Sequence, residues 1–326
     1  MRAAIHDTFG DPAAVLKPAE VPMPTPAAGA VLVKTILSPI HNHDLWTVRG
    51  EYGYKPDLPA AIGGSEAVGV IEAVGEGVDA ALIGTRVAVA GVHGTWAEYF
   101  TAPAGGLLPL PDVISDSLGA QLIAMPFSAI SLLETLQAKK GDWIIQTAAN
   151  GAVGKILAVL AKARGINLLN LVRRAEAAKE LADLGIGNVL VTTDAGWQDA
   201  ARTIIGKSGA VSAVDSVGGE MAEDLCELLG VNGELVVFGT ATGAPLTLSS
   251  GALIFKHITV KGFWGSRVSN DMPADDRKRL ITELVTLAAT GQLVLKDGGT
   301  YGLDDVTAAM QAAVTPGRAG KVMIKP

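Results

Sequence analysis

The stretch Trp143-Ile144-Ile145, a run with the character of a buried strand, leads through Ala148-Ala149-Asn150-Gly151-Ala152-Val153-Gly154 into a segment in which Val153, Ile156, Leu157 and Leu160 recur on one helical face. A strand, a tight glycine turn and an amphipathic helix in that order open a βαβ unit, which needs a parallel sheet with helices on its faces. The alternation continues downstream. Strands are expected over 168–172, 189–191, 211–215 and 235–238, with helices ending near Leu184-Gly185 and spanning 197–205. This rhythm predicts a doubly wound parallel sheet of the Rossmann type.

The chain before this point is different. From Met1 to about Pro111, short Val/Ile-rich runs such as 31–36 and 68–74 are broken by glycine and proline, a pattern that predicts a compact β-barrel. Beyond Trp264, a polar loop and one amphipathic helix over 274–289 lead into strand-like pieces ending at Lys321-Val322-Met323-Ile324, and the tail is expected to return to the first domain. With 326 residues, 49% of them hydrophobic, the chain can bury more core than one domain usually holds. The expected class is therefore α/β in two domains: a barrel formed by 1–113 with 264–326, and a nucleotide-binding domain over 114–263.

Several function classes are disfavoured. The net charge is −7 and no Lys/Arg run gathers positive charge into a patch, so nucleic acid is not an expected partner. Cys226 is the only cysteine, which excludes an intrachain disulfide and a four-thiolate zinc site. An acid at Asp7 interrupts any signal-like apolar stretch, and no later segment is apolar for long enough to span a bilayer, so the expectation is a cytoplasmic protein without membrane contact. The sequence His41-Asn42-His43-Asp44, with Glu66 or His93, offers zinc-ligand types, but no thiolate accompanies them, and no metal is expected.

The glycine turn carries the clearest chemistry. Gly151 and Gly154 let the backbone approach a pyrophosphate while the first N–H groups of the helix, at Ala152 and Val153, point toward it. The Gly-x-Gly-x-x-Gly pattern is incomplete, because Asn150 stands near a usual glycine or alanine position. The end of the next strand reads Asn170-Leu171-Val172-Arg173-Arg174, where an NAD enzyme places an acid for the ribose hydroxyls. Two guanidiniums there suit a 2′-phosphate, so the expected cofactor is NADPH. Phe238-Gly239 and the segment 215–219 close two further strands at the carboxyl edge, where open sheets bind ligands.

Longer motifs support a family resemblance: Ser38-Pro39-Ile40, Asp44, Gly50-Glu51-Tyr52-Gly53, Gly94-Thr95-Trp96, and Leu253-Ile254-Phe255-Lys256 running to Gly262-Phe263-Trp264. Over nearly its whole length the chain resembles the zinc-independent medium-chain dehydrogenases/reductases, and among them the mitochondrial-type trans-2-enoyl-thioester reductases. The resemblance implies a GroES-like barrel beside the Rossmann domain, and a catalytic tyrosine at Tyr52, which composition alone leaves as a turn aromatic beside Tyr54. It also implies NADPH-dependent reduction of an activated C=C bond, most plainly an enoyl thioester of CoA or acyl carrier protein. The alternatives are a quinone or enone reductase on the same cofactor site and, from another class, a non-catalytic NADPH-binding sensor.

Departures from the family pattern accompany the likeness. Where zinc alcohol dehydrogenases carry a metal-binding Cys and His, this chain has His41 and Ser65, and where the reductases have Asn-Pro it has His41-Asn42. His41 is therefore expected to line a modified substrate pocket, with Phe263 and Trp264 as apolar walls. The second arginine of the reductases' cofactor segment falls at Ala175, beside Arg174. Asn150, Phe238, Gly239, Phe263, Trp264 and Lys321 join the glycine turn and the arginines in the expected cofactor-binding set. By the same analogy a homodimer joined edge to edge is expected, with the run 234–238 near the end of the sheet.

Overall fold

The computed structural model describes residues 1–326 and divides into two units, Met1–Ala124 with Leu284–Pro326, and Met125–Glu283. In the first unit the long strand Ala30–Pro39 is the hub: it pairs antiparallel with Glu66–Val74, with Tyr99–Pro103 and with Lys321–Lys325. Arg86–Ala90 extends the sheet beside Glu66–Val74, Leu108–Pro109 follows it, and Asp297–Gly302 flanks Lys321–Lys325 at the other end. Alternating residues of these strands turn Val31, Val33, Ala67, Ile71, Val87, Val89 and Phe100 into one core cluster, as the period-2 geometry of a half-buried sheet requires. A smaller sheet of Lys17–Glu20, Arg2–His6 and Ala61–Ile62 lies in the same unit. The expected return of the tail is present, with Met323 opposite Pro39 and Ile324 opposite Ser38.

The second unit is a parallel sheet in the order Val189–Val191, Asn167–Val172, Trp143–Gln146, Ala210–Asp215, Leu229–Val237, Thr259–Gly262. The order reverses at Trp143–Gln146, which has Asn167–Val172 on one side and Ala210–Asp215 on the other. A crevice for ligands forms outside the carboxyl ends of the strands at such a reversal. Ile145, Leu169, Leu171, Ala213, Leu225 and Leu235 form its main core, and the helices Ala152–Ala163, Ala175–Asp183 and Trp197–Ile205 present apolar stripes to the sheet. No helix of the chain is long and apolar enough to cross a membrane.

The second unit spans Met125–Glu283, where the expected nucleotide-binding domain is 114–263. Long-range ion pairs account for this: Arg164 bonds Glu283 through both Nε (3.0 Å) and a terminal nitrogen (2.8 Å), and Arg279 bonds Glu134 at 2.8 Å, holding the first part of the helix Ala274–Ala289 to the nucleotide unit. The run 234–238 does lie toward the end of the sheet, one strand in from its edge. The edge is Thr259–Gly262, four residues that lack the alternation needed to be recognised and that enter the sheet after His257 adopts a left-handed conformation.

Candidate active site

In the nucleotide unit the helix Ala152–Ala163 starts at Gly151 with no side chain capping it, so its first-turn N–H groups remain directed out of the turn. Gly154 is fully committed to this geometry, because a Cβ there would lie 2.5 Å from the carbonyl oxygen of Ala149. Gln146 tethers the turn to the sheet, its Nε2 donating to the Gly154 carbonyl (2.9 Å) and to Asn170 Oδ1 (2.7 Å). Asn170 in turn donates to the Gly187 carbonyl at 2.8 Å. The turn is thus held in shape by buried amides before any ligand arrives.

Arg173 and Arg174 follow the end of Asn167–Val172, and both are exposed. Only their carbonyls are engaged, by the Thr193 hydroxyl and by the amides of Ala177 and Ala178, and neither guanidinium has a protein partner. At the next strand end Asp215 is fully buried and folds back on its own loop. Its Oδ1 accepts from Val217 N at 2.8 Å, both carboxylate oxygens accept from Gly218 N at 3.2 Å, and its carbonyl takes the amides of Phe238 (2.7 Å) and Gly239 (3.1 Å). The amides of Phe238 and Gly239 are therefore occupied, leaving carbonyl oxygens rather than N–H groups for a ligand. Phe263 is buried with its ring 5.8 Å from that of Phe238, whereas Trp264 is 56% exposed.

The barrel unit buries an unusual set of polar groups. His41 precedes the helix Asn42–Arg49, its backbone N–H donating to Asp44 Oδ2 at 2.9 Å. Its ring lies wholly inside, with Nε2 2.6 Å from Glu66 Oε2. Glu66 Oε1 accepts from the amides of Ile123 and Ala124, each at 2.8 Å. Burial pushes the Glu66 carboxyl up to about 8 and, with help from the Lys321 cation, holds His41 well below the usual imidazole value. His41 Nδ1 has no partner. His41, the residue expected to line the substrate pocket, has its side chain fully buried against Glu66.

Beside this pair, Ser65 Oγ donates to Asp44 Oδ1 at 2.6 Å and lies 2.7 Å from His43 Nε2. The His43 ring stacks on His41 at 5.1 Å and approaches the half-buried Tyr52 ring at 5.7 Å. Tyr54 stacks on His93 at 3.8 Å. Lys321 is nearly buried and its ammonium has no protein partner. Burial and the neighbouring Arg318 lower it to about 8. No three His, Cys, Asp or Glu side chains are arranged to hold a metal ion.

Comparison with known proteins bears on what such sites do. Residues 27–112 match the alcohol dehydrogenase GroES-like domain, and residues 152–280 match the zinc-binding dehydrogenase family. The mitochondrial enoyl-[acyl-carrier-protein] reductase of Rattus norvegicus is 31% identical over 97% of this chain and 86% of its own, and the Homo sapiens protein of the same name is 30% identical over the same shares. The chain belongs to the medium-chain dehydrogenase/reductase superfamily. Within it the chain is quinone oxidoreductase-like and enoyl reductase-related. Among solved structures, Escherichia coli quinone oxidoreductase complexed with NADPH aligns with a TM-score of 0.88 at 25% identity, and a mycobacterial quinone oxidoreductase with 0.85 at 28%, each covering 100% of both chains.

In this superfamily member the glycine turn and the arginine pair singled out in the sequence both lie at the carboxyl edge of the second unit's sheet. The buried amides that hold the turn, Gln146 and Asn170, are not in the expected set. Gln146 and Asn170 were legible in principle, since polar residues inside apolar strand runs are buried and need partners. The Glu66 and Ser65–Asp44 partnerships link residues 21 to 58 positions apart, and no local pattern encodes them.

Proposed function

We propose that the chain is an NADPH-dependent reductase of activated C=C bonds, with a trans-2-enoyl thioester as its substrate class. The observation that carries the cofactor assignment is the exposed, unpartnered Arg173–Arg174 pair beside a glycine turn that has no room for a Cβ at Gly154. Such a turn accepts a pyrophosphate on helix N–H groups, and the guanidiniums accept the further phosphate of NADPH. Gly151, Ala152, Val153 and Gly154 would hold the former, and Arg173 and Arg174 the latter. The acyl assignment is supported by relatives named as enoyl reductases at 31% and 30% identity across 97% of the chain.

NADPH held there would supply hydride for the β-carbon of the alkene. The protein must then stabilise the negative charge that develops on the thioester carbonyl and deliver a proton to the α-carbon. Tyr52 has a hydroxyl free of protein partners on a half-buried ring, a suitable donor to that oxygen. Replacing Tyr52 with Phe is expected to lower turnover of crotonyl-CoA about 10²-fold while leaving NADPH affinity nearly unchanged. A full-rate Phe variant would remove the tyrosine from the chemistry.

Quinone or enone reduction is the second reading, favoured by the structural likeness to quinone oxidoreductases. NADPH oxidation measured with crotonyl-CoA, a simple enone and a quinone separates the two. Tight NADPH binding with no turnover on any of the three would favour a cofactor-binding sensor instead.

A further inference from the structure

The side chain of Asp44 is nearly buried and is approached by two donors, the His41 backbone N–H on Oδ2 and the Ser65 hydroxyl on Oδ1. A serine hydroxyl has a single hydrogen. Because that hydrogen goes to Asp44, Ser65 Oγ can only accept from its other neighbour, His43 Nε2, at 2.7 Å. The tautomer of His43 follows: Nε2 carries a proton, and Nδ1 holds the lone pair in the neutral ring. Nδ1 makes no protein hydrogen bond, and the side chain is 23% exposed. The ring is braced by the stack on His41 and reaches Tyr52 at 5.7 Å. An imidazole with one nitrogen anchored through a hydroxyl to a carboxylate, and the other open beside a tyrosine, is built to exchange a proton at the open nitrogen.

We propose that His43 is the proton-handling residue of this site, acting through Nδ1, and that Ser65 and Asp44 are its positioning residues. This role rests on the alkene-reductase reading above. Reduction of the double bond adds one hydride, from NADPH, and one proton. As the hydride bonds to the β-carbon, the π electrons move toward the carbonyl to give an enolate. The Nδ1–H bond of a His43 imidazolium then breaks, the proton bonds to the α-carbon or reaches it through the Tyr52 hydroxyl, and the neutral ring regains a proton from solvent. Asp44, through Ser65, steadies the positive charge on the ring before transfer. The groups that titrate around the imidazole are His41, Asp44, Glu66, His93, Lys321 and Tyr52.

Two measurements on the full-length protein test this. Nitrogen-15 NMR of the imidazoles is expected to find His43 as the Nε2–H tautomer at neutral pH, and as a mixture of tautomers in S65A, a readout that needs no turnover. In the NADPH-dependent reduction of crotonyl-CoA, H43Q is expected to lower kcat about 10²-fold and to flatten the basic limb of the pH profile. Its NADPH dissociation constant, from fluorescence titration, is expected to stay within about twofold of the wild type, because no cofactor contact is removed. An Nδ1–H tautomer in the wild type, or an H43Q variant with the wild-type rate and pH profile, overturns the role of His43 alone. A wild-type protein that binds NADPH but reduces no activated alkene overturns the functional reading and this role with it.

Discussion

Replacing Arg173 and Arg174 together with Ala is expected to weaken NADPH binding at least about 10²-fold and to leave NADH binding within about twofold. The reason is the state of the two side chains in the free protein. Both are exposed and neither is paired with an acid, so a 2′-phosphate displaces no existing partner. Each charge-assisted bond contributes about 1.5–3 kcal/mol. Solvent exposure argues for the lower end, so the pair is worth about 3 kcal/mol, or two factors of ten. A macrodipole argument agrees, since arginine at the start of the helix Ala175–Asp183 is unfavourably placed toward its positive end unless an anion is bound there. Calorimetric titration of both cofactors decides the matter, and a wild-type protein that binds NADH as tightly as NADPH would remove the phosphate role from these residues.

Glu66→Ala is expected to destabilise the protein by several kcal/mol, since each buried polar group left without its partner costs about 1–3 kcal/mol. The carboxyl is fully buried and serves three donors or partners at once: His41 Nε2 and the amides of Ile123 and Ala124. Alanine leaves all three unsatisfied and opens a void among them.

The same pair governs a pH dependence whose sign can be worked out. Burial raises Glu66 from 4.5 to about 8 and lowers His41 from 6.5, so the folded pair holds one shared proton across the neutral range. Between pH 4.5 and 6.5 the unfolded chain also holds one proton, on the histidine, and the pair gives no slope. From 6.5 to about 8 the unfolded chain has released that proton while the folded pair keeps it, so stability falls as pH rises, by about 2 kcal/mol. At acid pH the unfolded chain protonates both groups while burial makes the folded His41 harder to protonate, so stability falls again as pH drops. Urea unfolding from pH 4 to 8.5 is the measurement, and Glu66→Ala is expected to abolish the alkaline decline. An undiminished decline in that variant would assign the slope to other groups.

The helices over 197–205 and 274–289 and the strand over 189–191 lie where apolar spacing places them. The parallel sheet follows from the strand–helix alternation, and the glycine turn and the arginines after the second strand were visible as motifs, because each of these signals lies within a few turns of chain. The edge strand Thr259–Gly262 was not legible, since four residues carry too little periodicity.

The sequence by itself determined the two-part architecture, the glycine turn and the basic pair, all of which depend on local spacing and residue type. Only the tertiary structure decided that His41 is buried on Glu66, that Ser65 orients His43 toward Asp44, and that the helix from Ala274 begins in the nucleotide unit through Glu283 and Arg164. The protonation state and open nitrogen of a histidine depend on which groups the folded chain brings within hydrogen-bond reach and on how far water is excluded from them. Those are properties of packing between distant segments, and a linear pattern does not record them.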